Sequence, residues 1–193
     1  MTERWLIVGL GNPGNQYDRT RHNAGFWFLD ALSRAHRLEL KHNKKLLGDF
    51  EKTKVDGQEL IVLRPQTFMN DSGQALRAAM DFYDVALDHV LVAYDDLDLS
   101  PGDVRLKMGG GHGGHNGLRS AFAHCGGQNF WRLRIGIGHP GSREQVTPWV
   151  LGRPSALDEE AIGQAIQRAL PTIPLWWQGN SHAAMKQLHT TEG

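Results

Sequence analysis

A histidine, His22, lies in the loop that follows the first apolar run of the chain, and a histidine can take a proton from water near neutral pH. To work as a base it needs a carboxylate on its other ring nitrogen, because that partner favours the protonated imidazolium. Asp95, just beyond the apolar run of residues 90–93, is placed to supply one. Three amides, Asn12, Asn70 and Asn116, fall in loops of the same kind. They offer donors and acceptors without charge, which suits a peptide backbone or a developing oxyanion. The chemistry these types support together is general-base hydrolysis without a metal. No Gly-x-Ser-x-Gly is present, and Cys125 follows a helical stretch instead of opening one, so no covalent nucleophile is indicated. Each residue taken singly has a plainer explanation: His22 as a surface loop residue, and Asn23, Asn70 and Asn116 as helix caps. That explanation weakens if all of them fall on one edge of a sheet.

Three other chemistries compete. The opening loop contains Gly9-x-Gly11-x-x-Gly14, a dinucleotide fingerprint, but Gly14 is followed by polar and aromatic residues where a phosphate-binding helix should begin. Asp30 has roughly the spacing of the acid such a site needs, yet it lies in a helical pattern. The match is read as a coincidence of a glycine-rich loop. A second run, residues 109–117, has glycine at six of nine positions. It could cradle phosphate through backbone N–H groups but lacks the Gly-Lys-Ser/Thr ending of a P-loop. From glycine content alone it is a flexible surface loop; His112, His115 and Asn116 inside it favour a mobile lid over a substrate. A metal site would draw on His22, Asp95, His112 and His115. The two loop histidines are three apart but not on a helix, and there is no His-Glu-x-x-His and no cysteine pair, so a metal is not expected.

The elements that must position these groups follow from periodicity and punctuation. Residues 5–8 form a buried strand. Asn23 is a plausible N-cap for a helix with Phe26, Leu29, Ala31, Leu32 and Ala35 on one face. Residues 41–45 read as a basic turn. Residues 50–55 and 60–63 flank Asp56-Gly57, a hairpin signal. A loop over 67–73 leads to a helix with Ala75, Leu76, Ala79, Met80 and Tyr83 on one side. Strands follow at 90–93, 104–108 and 130–137, with a helix from about Asn116 to His124 between the last two. Residues 158–170 are helical, Pro171 and Pro174 interrupt, and 176–188 make a last helix. Strands alternating with helices predict an α/β fold: a single three-layer domain over residues 1–193, with a mixed, mostly parallel twisted sheet flanked by helices on both faces, and C-terminal helices from about 155. In such sheets ligands bind at the carboxyl ends of the strands. The loops carrying Asn12 to His22, Asn70, Asp95, and His115 with Asn116 can all converge there.

The 193-residue chain has 40% hydrophobic and 22% charged residues, ordinary for a globular protein. Its lone cysteine excludes an internal disulfide and points to a reducing compartment. The N-terminal stretch is too short for a signal peptide, and no apolar run approaches the ~20 residues of a membrane span. A cytoplasmic protein with no membrane association is expected. Net charge is zero, but its distribution is uneven. Residues 81–103 carry seven acids and no Lys or Arg; residues 104–154 carry seven basic residues and one acid. A local basic face can bind phosphate on a neutral protein.

At this point the motifs resemble those of the bacterial peptidyl-tRNA hydrolases. The resemblance rests on Val8 to Gly14, Tyr17 with Thr20 to Gly25, Pro65 with Thr67 to Asn70 and Ser72-Gly73, Asp95 to Leu99, Lys107 with the glycine run, and Arg132 to Gly141. It spans Leu6 to about Gly152 and is looser over the C-terminal helices. It implies hydrolysis of the ester joining a peptide to the 3′ end of tRNA, with peptidyl-tRNA as partner and no metal or organic cofactor, by a protein that is typically monomeric. On that resemblance His22 is the catalytic base, Asp95 its supporting carboxylate, and Asn12 the residue that discriminates N-blocked peptidyl-tRNA from free aminoacyl-tRNA. Asn70 and Asn116 bind substrate and position water, and His115 lies on the substrate side. Tyr17, Phe68 and Met69 wall the cleft for the peptide and the tRNA end. Lys107, Arg134 and Arg143 hold tRNA phosphates. Arg143 stands where a lysine is expected, which keeps the charge but changes phosphate geometry. Tyr94 replaces a common histidine, and Asp96 and Ser100 replace a usual Glu and Pro. Relatives recruited to RNA splicing make a non-catalytic RNA-binding protein the competing expectation; retention of His22, Asp95, Asn12, Asn70 and Asn116 favours the enzyme.

Overall fold

The structure, a computed structural model, describes residues 3–190. Its centre is a seven-stranded sheet of order β2-β3-β4-β1-β5-β7-β6. The strands are β1 (Arg4–Gly9), β2 (Lys41–Asn43), β3 (Gly48–Val55), β4 (Gln58–Pro65), β5 (Val90–Asp96), β6 (Val104–Met108) and β7 (Trp131–Gly136). The inner strands β4, β1, β5 and β7 are parallel, while β2, β3 and β6 run antiparallel to their neighbours. The Asp56-Gly57 turn joins β3 to β4 and makes the sheet mixed, as expected.

The continuous apolar character of β1, β4 and β5 has a direct cause. Successive strand residues point to opposite faces, and both faces here are covered. Trp5, Ile7, Leu60, Val62, Leu91 and Ala93 enter one core with α1 (Ala24–His36), α5 (Ala156–Ala169), α6 (Ile173–Trp177) and α7 (Ser181–Thr190). Leu6, Val8, Ile61, Leu63, Val90 and Val92 enter the other with α2 (Ser72–Tyr83) and α3 (Asn116–His124). The fold is therefore the three-layer α/β arrangement read from the sequence. Among the described residues no helix is long and apolar enough to cross a membrane.

The glycines of the opening loop serve packing. A Cβ at Gly25 would come within 2.5 Å of the Ala93 carbonyl oxygen and of Leu10 backbone atoms. Only glycine lets α1 start against the ends of β1 and β5, and that contact brings His22 beside Asp95. Gly14 has φ of 112°, and a 3₁₀ turn over Asn15–Tyr17 follows it; α1 begins only at Ala24. The dinucleotide reading needs an α-helix opening at the third glycine, and only a three-residue 3₁₀ turn opens there.

Three local expectations differ from what is found. Residues 41–45, read as a turn, form the edge strand β2 and a 3₁₀ turn over Lys44–Leu46. A three-residue strand is too short to show a period. The last helix does not run unbroken from Trp176: α6 ends at Trp177, Gly179 takes φ of 80°, and α7 restarts at Ser181. Pro171 and Pro174 sit in the first turns of a 3₁₀ turn (Leu170–Thr172) and of α6, where a missing N–H breaks no bond. α5 ends at Ala169 just before them, so they interrupt the helical run as expected, each by starting a new turn. A short helix, α4 (Val146–Val150), was not anticipated; at five residues with Pro148 inside it has no readable pattern.

Candidate active site

A 3₁₀ turn over Arg21–Asn23 leads into α1 and carries His22, which is 8% exposed. Asp95, near the end of β5, is 2% exposed. The His22 Nδ1 and Asp95 Oδ2 are 2.8 Å apart, and the His115 Nε2 and Asp95 Oδ1 are also 2.8 Å apart. One buried carboxylate thus serves two imidazoles, whose ring centroids lie 5.0 Å from each other.

The proton positions follow from the donors. His115 is the N-cap of α3, and its Nδ1 accepts from the backbone N–H groups of Gly117 and Leu118. With Nδ1 engaged as an acceptor, the proton must be on Nε2, which donates to Asp95. The carboxylate has only acceptors to offer, so His22 also donates to it, from Nδ1. The remaining nitrogen of His22, Nε2, then carries a free lone pair. Burial disfavours a charge on His22, but the Asp95 carboxylate outweighs it, and the pKa of the imidazole lies above the ordinary histidine value. Burial likewise disfavours ionisation of Asp95, yet the facing His22 and His115 hold its carboxyl below the usual range.

Asn12 is fixed just as tightly. Its side-chain Oδ1 accepts from the Met69 backbone N–H at 2.7 Å. Its own backbone is gripped by Asn23: the Asn12 N–H donates to Asn23 Oδ1 at 2.8 Å, and Asn23 Nδ2 donates to the Asn12 carbonyl at 3.0 Å. The N–H donor at Met69 settles which end of the Asn12 amide is oxygen, so Nδ2 is the end left for a ligand. Asn23 is at the N-cap position as expected, but its side chain makes no cap bond, being committed to Asn12. Asn116 is not a cap either, since His115 does that work; its Oδ1 accepts weakly from Arg119 at 3.4 Å and it is exposed. Asn70 is exposed in the 3₁₀ turn Met69–Asp71. Phe68 is 60% exposed and meets Tyr17 edge-on with centroids 6.4 Å apart, so these two rings form an open aromatic rim.

A cavity of about 360 Å³ opens beside His22. The glycine run and His115 form one side, Val146, Thr147 and Val150 of α4 the other, and Lys107, Arg132 and Arg134 supply positive charge. One expectation needs correction here. The Met69 side chain does not wall a cleft: it is 3% exposed in the core, and only its backbone N–H reaches Asn12. Its place after an exposed phenylalanine hid this. His115 lines the cavity while its Nε2 donates to Asp95. Arg134 lines the cavity with its Nε donating to Asp96 Oδ2 at 2.7 Å, and Tyr94 is a second side-chain partner. Lys107 is exposed and packs its Nζ close to Gly110, and Arg143 is exposed in a 3₁₀ turn, outside the cavity lining.

Arg132 was missed as a site residue. It is 2% exposed and donates to the carbonyls of Gly110, Gly111 and Gln128 at 2.7–2.9 Å. Its guanidinium also stacks on Phe122 and Phe130. The glycine run is therefore anchored at its base by a buried cation, which narrows the expectation of a mobile lid to the segment after Gly111. The available signal was that two arginines two apart on a strand share one face.

His22, Asp95 and His115 also bring three potential metal-ligand atoms within 4.8 Å. Their geometry is that of hydrogen bonds. Both nitrogens approach the carboxylate directly at 2.8 Å, and His115 uses its other nitrogen as a helix cap. His112, the fourth residue considered, accepts from Gly114 N–H and faces Phe122.

Comparison with known proteins bears on this geometry. The family model described as peptidyl-tRNA hydrolase matches residues 6–193. The peptidyl-tRNA hydrolase of Xanthomonas axonopodis pv. citri (strain 306) is 50% identical over 190 residues, 98% of each chain. That of Stenotrophomonas maltophilia (strain R551-3) is 50% identical over 96% of each. The crystal structure of the enzyme from Acinetobacter baumannii superposes with a TM-score of 0.94 at 46% identity, covering 98% of this chain and 96% of that one. The chain belongs to the peptidyl-tRNA hydrolase family.

Proposed function

We propose that this protein hydrolyses the ester between the peptide and the 3′ end of tRNA, releasing free tRNA from peptidyl-tRNA, by metal-free general-base attack of water with His22 as the base. Hydrolysis of peptidyl-tRNA is the activity of the family to which the chain belongs. The observation that carries the assignment of His22 is the doubly used carboxylate of Asp95. Because His115 must donate to one oxygen, His22 donates to the other and keeps its Nε2 lone pair beside the cavity.

In this mechanism a water bound at Nε2 gives its proton to His22 as its oxygen attacks the ester carbonyl. Asp95 stabilises the imidazolium that forms. Asn12 Nδ2, with Asn116 and Asn70 at the rim, donates to the substrate carbonyls and to the tetrahedral oxyanion. Collapse of that intermediate breaks the bond to the ribose oxygen, which takes the proton from His22 and leaves as an alcohol. Tyr17 and Phe68 offer apolar faces to the substrate end, and Lys107, Arg134 and Arg143 meet tRNA phosphates. Asn12, locked by Met69 and Asn23, presents its amide N–H groups to the blocked N-terminal side of the substrate, which discriminates a peptide from a free amino acid. The protein acts in translation, in the cytoplasm and as a monomer, a reading supported by its membership of the family.

The test is release of N-acetyl-aminoacyl groups from tRNA by wild type and His22→Ala. Loss of a positioned general base should slow turnover about 10²- to 10⁴-fold with tRNA binding retained. A wild-type protein that binds tRNA and frees none of it would defeat the proposal and leave RNA binding as the function.

A further inference from the structure

The cavity beside His22 has α4 as one wall, and α4 cannot hold itself. It has five residues and contains Pro148, far below the length at which a helix is stable alone. Val146, Trp149 and Val150 pack it on the core, and its polar fastening is Arg21, the residue just before the base. The Arg21 guanidinium lies over the Trp149 ring at 3.4 Å, and its Nη1 donates to the Trp149 carbonyl at 2.9 Å. The Arg21 backbone N–H donates to Gly152 O at 3.0 Å, just past the helix. Trp149 is pinned on its far edge by a 2.9 Å bond from Nε1 to the Gly138 carbonyl.

Arg21 is 7% exposed, and its Nε is buried with no hydrogen-bond partner among the described residues. The site therefore does not use an arginine for its full set of donors. It uses a planar cation that can stack on an indole and still reach a carbonyl, which an ammonium cannot reproduce. The neighbouring machinery is secured without it. His22 is held by Asp95 and Asn12 by Asn23 and Met69, through bonds in which the Arg21 side chain takes no part.

We propose that Arg21 is a positioning residue for substrate binding: by stacking on Trp149 it fixes α4 as a wall of the substrate cavity, and it acts through that wall and not through the base beside it. This rests on the hydrolase function proposed above. Removing the latch loosens the face formed by Val146, Thr147 and Val150 while His22, Asp95 and His115 keep their geometry. KM should rise, and kcat and its pH dependence should stay.

The experiment is steady-state hydrolysis of N-acetyl-aminoacyl-tRNA between pH 5 and 9 by wild type, Arg21→Ala, Arg21→Lys, Trp149→Leu and the double variant Arg21→Ala/Trp149→Leu. Loss of a desolvated cation–π interaction should raise KM roughly tenfold in Arg21→Ala, with kcat within about threefold of wild type. Trp149→Leu should do the same, and the effects in the double variant should be clearly less than additive, because both substitutions remove the one stacking contact. Arg21→Lys should recover only part of the loss. A fall in kcat with a displaced acid limb and unchanged KM would place Arg21 on the base and overturn the proposal. Unchanged constants, or additive effects in the double variant, would overturn it too. If Arg21→Ala does not fold, Arg21→Lys and Trp149→Leu decide by the same criteria. Turnover by wild type in this assay checks the hydrolase function separately.

Discussion

Replacing Asp95 by asparagine probes the proton arrangement directly, because it changes one buried oxygen into an amide nitrogen without changing size. Two imidazole N–H groups point at the wild-type carboxylate, and an asparagine side chain can accept only at its oxygen. His115 cannot change its tautomer cheaply, since its Nδ1 caps α3 through Gly117 and Leu118. The asparagine oxygen will therefore face His115, and its amide nitrogen will face His22 Nδ1. His22 must then accept at Nδ1 and carry its proton on Nε2, where the lone pair was. The active tautomer remains accessible only with two donors facing each other in a site where Asp95 is 2% exposed. Leaving two buried donors unpaired costs about 1–3 kcal/mol each, or roughly 2–6 kcal/mol together. At about 1.4 kcal/mol per decade this predicts a loss of kcat of roughly 30-fold to 10⁴-fold. The pH profile should move as well. In wild type, activity falls as the pH drops through the raised pKa of His22. Without the carboxylate only burial remains, which lowers that pKa, so the residual activity should persist to lower pH. The assay is single-turnover release from N-acetyl-aminoacyl-tRNA across pH 5 to 9. Activity of Asp95→Asn within threefold of wild type, or an acid limb that stays in place, would refute the tautomer argument.

Two other substitutions separate further roles. Asn12→Asp keeps the acceptor for the Met69 N–H but replaces the free amide nitrogen by an oxygen. Its kcat/KM toward N-acetyl-aminoacyl-tRNA should fall at least about tenfold, with a thermal midpoint close to wild type, since what is lost is donation to substrate and not an internal bond. An Asn12→Asp enzyme with full kcat/KM would remove Nδ2 from the mechanism. Arg134→Ala should weaken tRNA binding and reduce the salt slope of log K by somewhat under one, about 0.7–0.9 for each phosphate no longer neutralised. Because Arg134 is already paired with Asp96, a smaller change would mean that the carboxylate keeps it from the backbone, and an unchanged slope removes it from the clamp.

The chain carried a good deal of this in its residue order. Unbroken apolar runs at 5–8, 60–63 and 90–93 require a sheet covered on both faces, because every side chain of such a strand needs an apolar neighbour. Asp56-Gly57 between two strand patterns dictates a hairpin, since both turn residues take positive φ, 53° and 78°. Loops at the carboxyl ends of parallel strands then gather His22, Asp95, Asn12 and the glycine run at one edge. The motifs of those loops resemble the family's without any help from tertiary structure.

What no local pattern contained were the partnerships between distant segments. That His115 shares Asp95 with His22 depends on where α3 begins, and α3 begins where His115 itself caps it. Asn23 has the type and place of an ordinary cap, and its bonds to Asn12 form only when α1 packs against the end of β1 through Gly25. Met69 and Phe68 are neighbours of similar type, yet one is core and the other rim, a difference set by the turn that links β4 to α2. Nothing in the sequence around Arg21 or Arg132 marks either as a buried cation. Folding buries each against aromatic rings and backbone carbonyls from segments far along the chain. Residue types and spacing determined which chemistry was available. Tertiary packing decided which nitrogen of His22 is free to do it, because a hydrogen-bond direction is fixed by all the partners of a group at once.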